Sequence, residues 1–262
     1  MPDAHVNGIR LYYEEHGQGA PIICIHGGGS SAAMWADAIE ELARVGRVIS
    51  YDRRGCSRSE RPEPHETSVA QQADDAAALV DALGAAPAVV IGRSYGGAVA
   101  IDLALRDPDR VRALVLLEGD ALGLSSAGLE WTRAIRDRLR AVAAQDGVDA
   151  VYEALVGEVF GADAWDSFPD EVRRMLAQNG PALLAELEYV DEPMPDAAAF
   201  ATIDKRALLL VASESPPEQR EMTEAMADVL PDARLVRIGG GHLIDPAHSE
   251  VLAFIEEVLA GG

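Results

Sequence analysis

Three stretches of this chain carry residue types that could do chemistry together. In Ala88-Val89-Val90-Ile91-Gly92-Arg93-Ser94-Tyr95-Gly96-Gly97, a Gly-x-Ser-x-Gly pattern follows an apolar run and opens a helical one. Such a bend lifts the serine oxygen above a sheet edge and sets a helix N-terminus behind it, where partial positive charge favours a developing anion. Small flanking residues leave room for the strained turn. A helix N-cap would also use a serine after glycine, but the strand–turn–helix context favours a nucleophile at Ser94. The second stretch, Ile22-Ile23-Cys24-Ile25-His26-Gly27-Gly28-Gly29, is a strand ending in a glycine-rich turn. Acyl transfer needs two backbone N–H groups aimed at the oxygen that becomes negative. Gly28 is the expected donor, with Gly27 as fallback, and Tyr95, the residue after the serine, is the other. A phosphate cradle would end in Gly-Lys-Ser/Thr, whereas Gly29 leads into Ser30-Ser31-Ala32.

The third stretch supplies the base, because a serine hydroxyl at neutral pH is a poor nucleophile without one. His5, His16 and His65 lie in polar early segments, His26 belongs to the glycine turn in a structural role, and His248 falls in the last helix. His242 follows the last strand through Gly239-Gly240-Gly241. Its loop emerges on the carboxyl edge of the sheet, where open α/β folds place their sites.

The elements that must hold these residues alternate. Asn7-Gly8 reads as a hairpin turn. Strand runs follow at 21–26, 47–52, 88–92, 112–118, 206–212 and 234–238, with helical patterns at 70–83, 95–106, 218–230 and 246–259. Short aliphatic runs without polar alternation suit a parallel sheet covered on both faces. Residues 121–200 contain no convincing strand and several helical patterns, at 131–144 and 148–159 among them, interrupted by Pro169, Pro181, Pro193 and Pro195. They read as a helical cap inserted into a core made of 1–120 and 201–262. Within the cap, Trp131, Trp165, Leu184 and Met194 are candidates to contact a substrate, although amphipathic helices need such residues for packing anyway.

The chain has 262 residues and a formal charge of −22, from 44 acidic and 22 basic residues. A polyanion of this kind repels phosphate backbones and acidic membrane surfaces, so neither nucleic acid nor membrane is an expected partner. Two cysteines are too few for a disulfide scaffold. No apolar stretch approaches the roughly 20 residues of a spanning helix, and the first ten residues lack a secretion signal; a cytoplasmic protein is expected. No metal or cofactor is expected, and the oligomeric state stays open, a homodimer included.

The whole chain resembles the α/β-hydrolase superfamily in His26-Gly27-Gly28-Gly29, Asp52-Arg53-Arg54-Gly55-Cys56-Ser57-Arg58-Ser59, Gly92–Gly97, Pro108-Asp109-Arg110-Val111 and Gly241-His242. The resemblance implies a mostly parallel eight-stranded sheet flanked by helices, with the cap before the penultimate strand. It also implies an acid that orients the histidine. Most members carry it in a Gly-x-x-Asp turn after the post-cap strand, where this chain reads Ser213-Glu214-Ser215-Pro216. A minority end the pre-cap strand in glutamate, as Leu116-Leu117-Glu118 does here. An ionisable group closing a buried aliphatic run costs several kcal/mol unless paired, and a histidine partner would supply the reason. Glu118 therefore ranks first, Glu214 second and Asp120 third.

That layout is most similar to the zearalenone-lactonase-like group, whose substrate-contacting cap tryptophan would fall near Leu184. The resemblance implies hydrolysis of a small apolar ester or lactone through an acyl-enzyme. Carbon–carbon bond hydrolysis and perhydrolysis use the same triad, and a non-catalytic small-molecule receptor uses the same fold. Arg93, beside the nucleophile, could bind a carboxylate, but an internal ion pair is the expected role.

Overall fold

Asn7 and Gly8, at φ of 45° and 73°, turn the chain between β1 (Asp3–Val6) and β2 (Ile9–His16). The computed structural model describes residues 2–65, 67–161 and 163–261. Beyond the hairpin come β3 (Pro21–Ile25), α1 (Ala36–Val45), β4 (Arg47–Tyr51), α2 (Val69–Ala82), β5 (Ala88–Arg93), α3 (Tyr95–Arg106) and β6 (Val111–Leu117). Six helices follow: α4 (Ser126–Asp146), α5 (Val151–Phe160), α6 (Ala164–Ser167), α7 (Asp170–Gln178), α8 (Gly180–Glu186) and α9 (Ala197–Phe200). The chain then completes the sheet with β7 (Ala207–Ala212), α10 (Pro217–Val229), β8 (Ala233–Ile238) and α11 (Ser249–Ala260).

The eight strands lie in the order β1-β2-β4-β3-β5-β6-β7-β8; β2 pairs antiparallel with β1 and β4, and all later neighbours are parallel. Aliphatic runs form the centre because helices cover both faces. Val90, Leu114, Leu116 and Leu209 pack towards α2, α3 and α10. Val89, Ile91, Val115, Leu117, Leu208 and Leu210 pack towards α1 and α11. Each such side chain contributes about 1.5–3 kcal/mol by leaving water.

Register decides where chemistry can occur. Ile25 pairs with Gly92, Arg93 with Leu117, and Leu117 with Leu210. The loops after β3, β5, β6, β7 and β8 therefore open at one sheet edge. The helical stretch between β6 and β7 sits over that edge and packs its own apolar cluster of Ile135, Leu139, Val151, Val156, Leu176 and Leu183. Two of its prolines mark helix starts rather than breaks: Pro169 precedes α7 and Pro181 lies in the first turn of α8, where a missing N–H costs nothing.

Two local expectations change. α1 has no counterpart in the sequence reading; it buries Ala38 and Leu42 and pairs Arg44 with Glu40 and Glu41 on its exposed side. The last helix begins at Ser249 rather than at 246, because the Asp245 carboxylate accepts from the Ala247 N–H and holds Pro246 in a turn. His248 thus caps the helix instead of lying within it; its ring accepts from the Glu250 N–H at 3.2 Å. Among the described residues, no helix is long and apolar enough to cross a membrane.

Candidate active site

Ser94 stands between β5 and α3 at φ 50° and ψ −126°, a conformation that L-residues avoid unless their surroundings impose it. The surroundings are tight. A Cβ on Gly96 would lie 2.3 Å from the Ile25 carbonyl oxygen, and one on Gly97 would lie 2.3 Å from the Gly119 Cα. Only glycine lets α3 start this close to β3 and to the end of β6. The Ser94 N–H donates to Leu117 O at 3.2 Å, and its carbonyl accepts from Gly97 and Asp120 N–H groups at 2.7 and 3.0 Å. The bend is tied to the end of β6 on both sides.

That end carries Glu118, also at positive φ (45°) and fully buried. Its Oε2 accepts from His242 Nδ1 at 2.6 Å and from the Ser215 hydroxyl at 2.8 Å; its Oε1 accepts from the Ala212 N–H at 2.8 Å. Gln219 donates to the Glu118 carbonyl at 2.6 Å. A buried carboxylate with this many donors is held in one position. With Nδ1 bound to Glu118, His242 presents Nε2 as the free nitrogen. Phe160 lies against the imidazole, ring centroids 5.7 Å apart.

Ser94 and His242 line one cavity of about 1000 Å³, its open mouth included. Among the described residues no hydrogen bond joins them, as is common in unliganded sites that tighten around substrate. Glu214, the second-ranked acid, is exposed and makes no contact with His242 among the described hydrogen bonds. Asp120 lines the same cavity, but its carboxylate accepts from Tyr189 at 2.8 Å and Gln219 at 3.3 Å and makes no hydrogen bond to His242 among the described ones. Burial pushes the Asp120 carboxyl up, against those two bonds.

The glycine turn lies against the serine. A Cβ on Gly27 would be 3.5 Å from Ser94 Cβ, and one on Gly28 3.9 Å from Tyr95 Cβ. The Gly28 and Tyr95 N–H groups have no acceptor among the described hydrogen bonds, Tyr95 being the first residue of its helix. Gly29 is excluded from this pair because its N–H donates to Glu186 Oε2 at 2.8 Å. His26 plays the structural part expected of it: Nε2 accepts from the Arg53 N–H at 3.0 Å, and Nδ1 lies 2.8 Å from Gly27 O. Burial, then the nearby Arg53 charge, hold its pKa well below the usual imidazole value, so the ring is neutral.

Sequence reasoning missed the supports of this turn. Glu186, on α8, forms a buried pair with Arg53 (2.6 and 3.1 Å), which in turn donates to His26 O and Gly27 O at 3.1 and 2.8 Å. Tyr152, on α5, donates to Gly28 O at 3.0 Å. Gly29 adopts φ 54°, and a Cβ there would meet Leu183 at 2.8 Å. The helical stretch thus grips the glycine turn directly. No local pattern announces contacts 133 and 157 residues apart.

Of the four helical-stretch candidates, Trp131 lines the cavity. Leu184 is one helical step from Leu183, which does line it, and packs with the local apolar cluster instead. Trp165 packs edge-on to Phe168 at 6.4 Å within that cluster. Met194 lines a second, smaller cavity beside Phe200. Arg93 departs from expectation as well: among the described residues it forms no ion pair, and its guanidinium donates to the Ile244 carbonyl.

Comparison with known proteins agrees with this architecture. A family model described as alpha/beta hydrolase fold matches residues 20–244. RutD of Azorhizobium caulinodans, named for carbamate hydrolysis, is 42% identical over 119 residues, 45% of this chain and 44% of its own length. The 2-hydroxymuconate semialdehyde hydrolase of Pseudomonas sp. strain CF600 is 40% identical over 42% of this chain and 40% of its own. The chain thus spans less than half the length of these curated relatives. A thermophilic esterase from Thermogutta terrifontis superposes with a TM-score of 0.77 at 27% identity, covering 99% of this chain and 98% of the other.

Proposed function

The chain belongs to the alpha/beta hydrolase family, and we propose that it cleaves a carboxylic ester or lactone through an acyl-enzyme on Ser94. His242 Nε2 takes the hydroxyl proton as Ser94 Oγ attacks the carbonyl carbon. The carbonyl oxygen becomes negative facing the N–H groups of Gly28 and Tyr95. The tetrahedral intermediate expels the alkoxide, which receives the proton from His242. Water, deprotonated by the same nitrogen, then attacks the acyl carbon and releases the acid with Ser94 restored. Glu118 fixes the imidazole tautomer and stabilises its cationic form. Residues 121–200 act as a cap that walls the cavity with apolar side chains and steadies the glycine turn.

One observation carries this reading: a fully buried carboxylate 2.6 Å from the imidazole that shares a cavity with a serine on a strained bend. The placement of the acid before the cap supports a lactone as substrate, after the zearalenone-lactonase-like group. Carbon–carbon bond hydrolysis is a second reading, favoured by the likeness to the 2-hydroxymuconate semialdehyde hydrolase. The test is labelling by a fluorophosphonate probe, followed by turnover on a panel of esters, lactones and dienoic keto acids. Wild type should label and Ser94→Ala should not. Labelling of both alike would end the proposal, and turnover of the keto acids alone would favour the second reading.

A further inference from the structure

Arg93 is a buried cation without a counter-ion. Its side chain is 8% exposed and lines the cavity, and among the described residues no carboxylate oxygen comes within 4 Å of it. The Ile244 carbonyl takes one nitrogen, and Nε has no acceptor. Trp35 lies beside it, the guanidinium carbon 5.2 Å from its ring centroid. Trp35 is 1% exposed, lines the same cavity, and its Nε1 also lacks an acceptor. The nearest acids are committed: Glu118 holds His242, and Asp245 is exposed and accepts from the Ala247 N–H. Burial lowers the Arg93 pKa to about 10, against the pull of Asp245, so the group is charged at neutral pH.

Buried donors are rarely left unpaired, and a buried cation is costlier still. An unpaired cation on the wall of the cavity, in the residue before the nucleophile, calls for an anionic acceptor from the cavity. We propose that this wall binds a carboxylate carried by the substrate itself, so that the preferred ester or lactone is an anionic one. The carboxylate accepts from the Arg93 guanidinium, and the reacting carbonyl extends towards Ser94. A net charge of −22 repels anions at long range, which makes a buried cation at the site the feature such a substrate requires. The inference rests on the hydrolase reading of Ser94 and narrows it to a substrate class.

Two measurements test it. Wild type, Arg93→Met and Arg93→Lys are assayed on p-nitrophenyl acetate and on mono-p-nitrophenyl glutarate. Charge-assisted hydrogen bonds predict that Arg93→Met lowers kcat/KM for the glutarate ester about 10- to 100-fold more than for the acetate ester, mainly through KM, with Arg93→Lys in between. Equal losses on both esters would overturn the proposal. Separately, glutarate binding to Ser94→Ala is followed by calorimetry, with and without Arg93→Met. Binding that disappears on removing Arg93 supports the site, and no binding to Ser94→Ala overturns it. Glutarate binding combined with no preference for the anionic ester would also overturn it, since the wall would then take a free anion. Should wild type hydrolyse no ester, the hydrolase reading fails, while the calorimetry still decides the anion site.

Discussion

Replacing Glu186 by glutamine removes a single charge yet strikes the contact that joins α8 to the glycine turn. In the wild type, Oε1 and Oε2 accept from Arg53 at 2.6 and 3.1 Å, and Oε2 accepts from the Gly29 N–H at 2.8 Å. Both members of the pair are buried, 0% and 1% exposed. A glutamine has one acceptor oxygen, so its amide nitrogen must face either Arg53 or Gly29, donor against donor. Arg53 is left as a buried charge, and breaking such a pair from one side costs about 3–5 kcal/mol. At about 2–4 °C per kcal/mol for a domain near this size, melting should fall by about 6–20 °C. The catalytic effect follows from the same atoms. With the amide nitrogen turned to Gly29, that N–H loses its anchor, and the adjoining Gly28 N–H is the proposed oxyanion donor. Complete loss of such a donor costs about 10²–10³ in rate, so a misaimed one should cost about tenfold or more in kcat with KM little changed. Calorimetric melting and steady-state turnover of an activated ester read the two effects. A double replacement, Arg53→Met with Glu186→Leu, should destabilise less than Glu186→Gln alone, because no uncompensated charge remains. Melting within about 2 °C of wild type, together with kcat within about twofold, would show that the pair holds nothing in place.

Glu118→Gln should lower kcat by about 10³-fold or more, in the range seen when a triad acid is lost, while Glu214→Gln should leave it near wild type; the opposite order in a pH-controlled ester assay would transfer the acid role. Ser215→Ala removes one donor to Glu118 and should cost about tenfold or less; a loss as large as that of Glu118→Gln would mean that the hydroxyl does more than hold the carboxylate. His26 gives a pH dependence of stability. Its folded-state pKa is depressed by burial first and by Arg53 second, so below about pH 6.5 the unfolded chain binds a proton that the folded chain refuses. Stability from this group is therefore complete above about pH 6.5 and declines as pH falls, by up to about 1.4 kcal/mol per pH unit. Denaturant melts of His26→Gln between pH 5 and 7 should show a shallower slope than wild type, and an unchanged slope would remove His26 as the cause.

The parts of this molecule that were legible in the sequence are those whose signal is local. The bend at Ser94 sits between an aliphatic run and glycines that α3 needs for close approach, and its helix runs over the residues the periodicity marks, Tyr95–Arg106. Glu118 was legible because a carboxylate ending five fully buried residues demands a partner. By contrast, α1 went unread because its ten residues bury only Ala38 and Leu42, a weak apolar stripe beside the stronger strands on either side. Leu184, of the four candidates in that stretch, was misplaced by rotation: consecutive residues of a helix point about 100° apart, so the pattern that marks α8 as amphipathic cannot tell Leu183 from Leu184. Glu186, Tyr152 and Arg53 depend on contacts between distant segments, which composition and period do not encode.

The proposed acid, Glu118, reaches His242 from the end of β6 rather than from the turn after β7. β6 and β7 are neighbours, with Leu117 opposite Leu210, so the residue after β6 emerges beside the end of β7. Glu118 reaches across that end, its Oε1 on the Ala212 N–H and its Oε2 on His242 Nδ1. The turn after β7 still takes part, but as a donor: Ser215 supplies a hydroxyl to the carboxylate it does not itself provide. Pro216 is compatible with this arrangement because no N–H is required of it, and it leads directly into α10. An aspartate in place of Pro216 would add a second carboxylate one residue from Ser215, the donor to Glu118, and like charges held close oppose each other's ionisation. Restoring the commoner layout therefore requires removing Glu118 in the same step, and either change alone should leave His242 worse oriented than it is now.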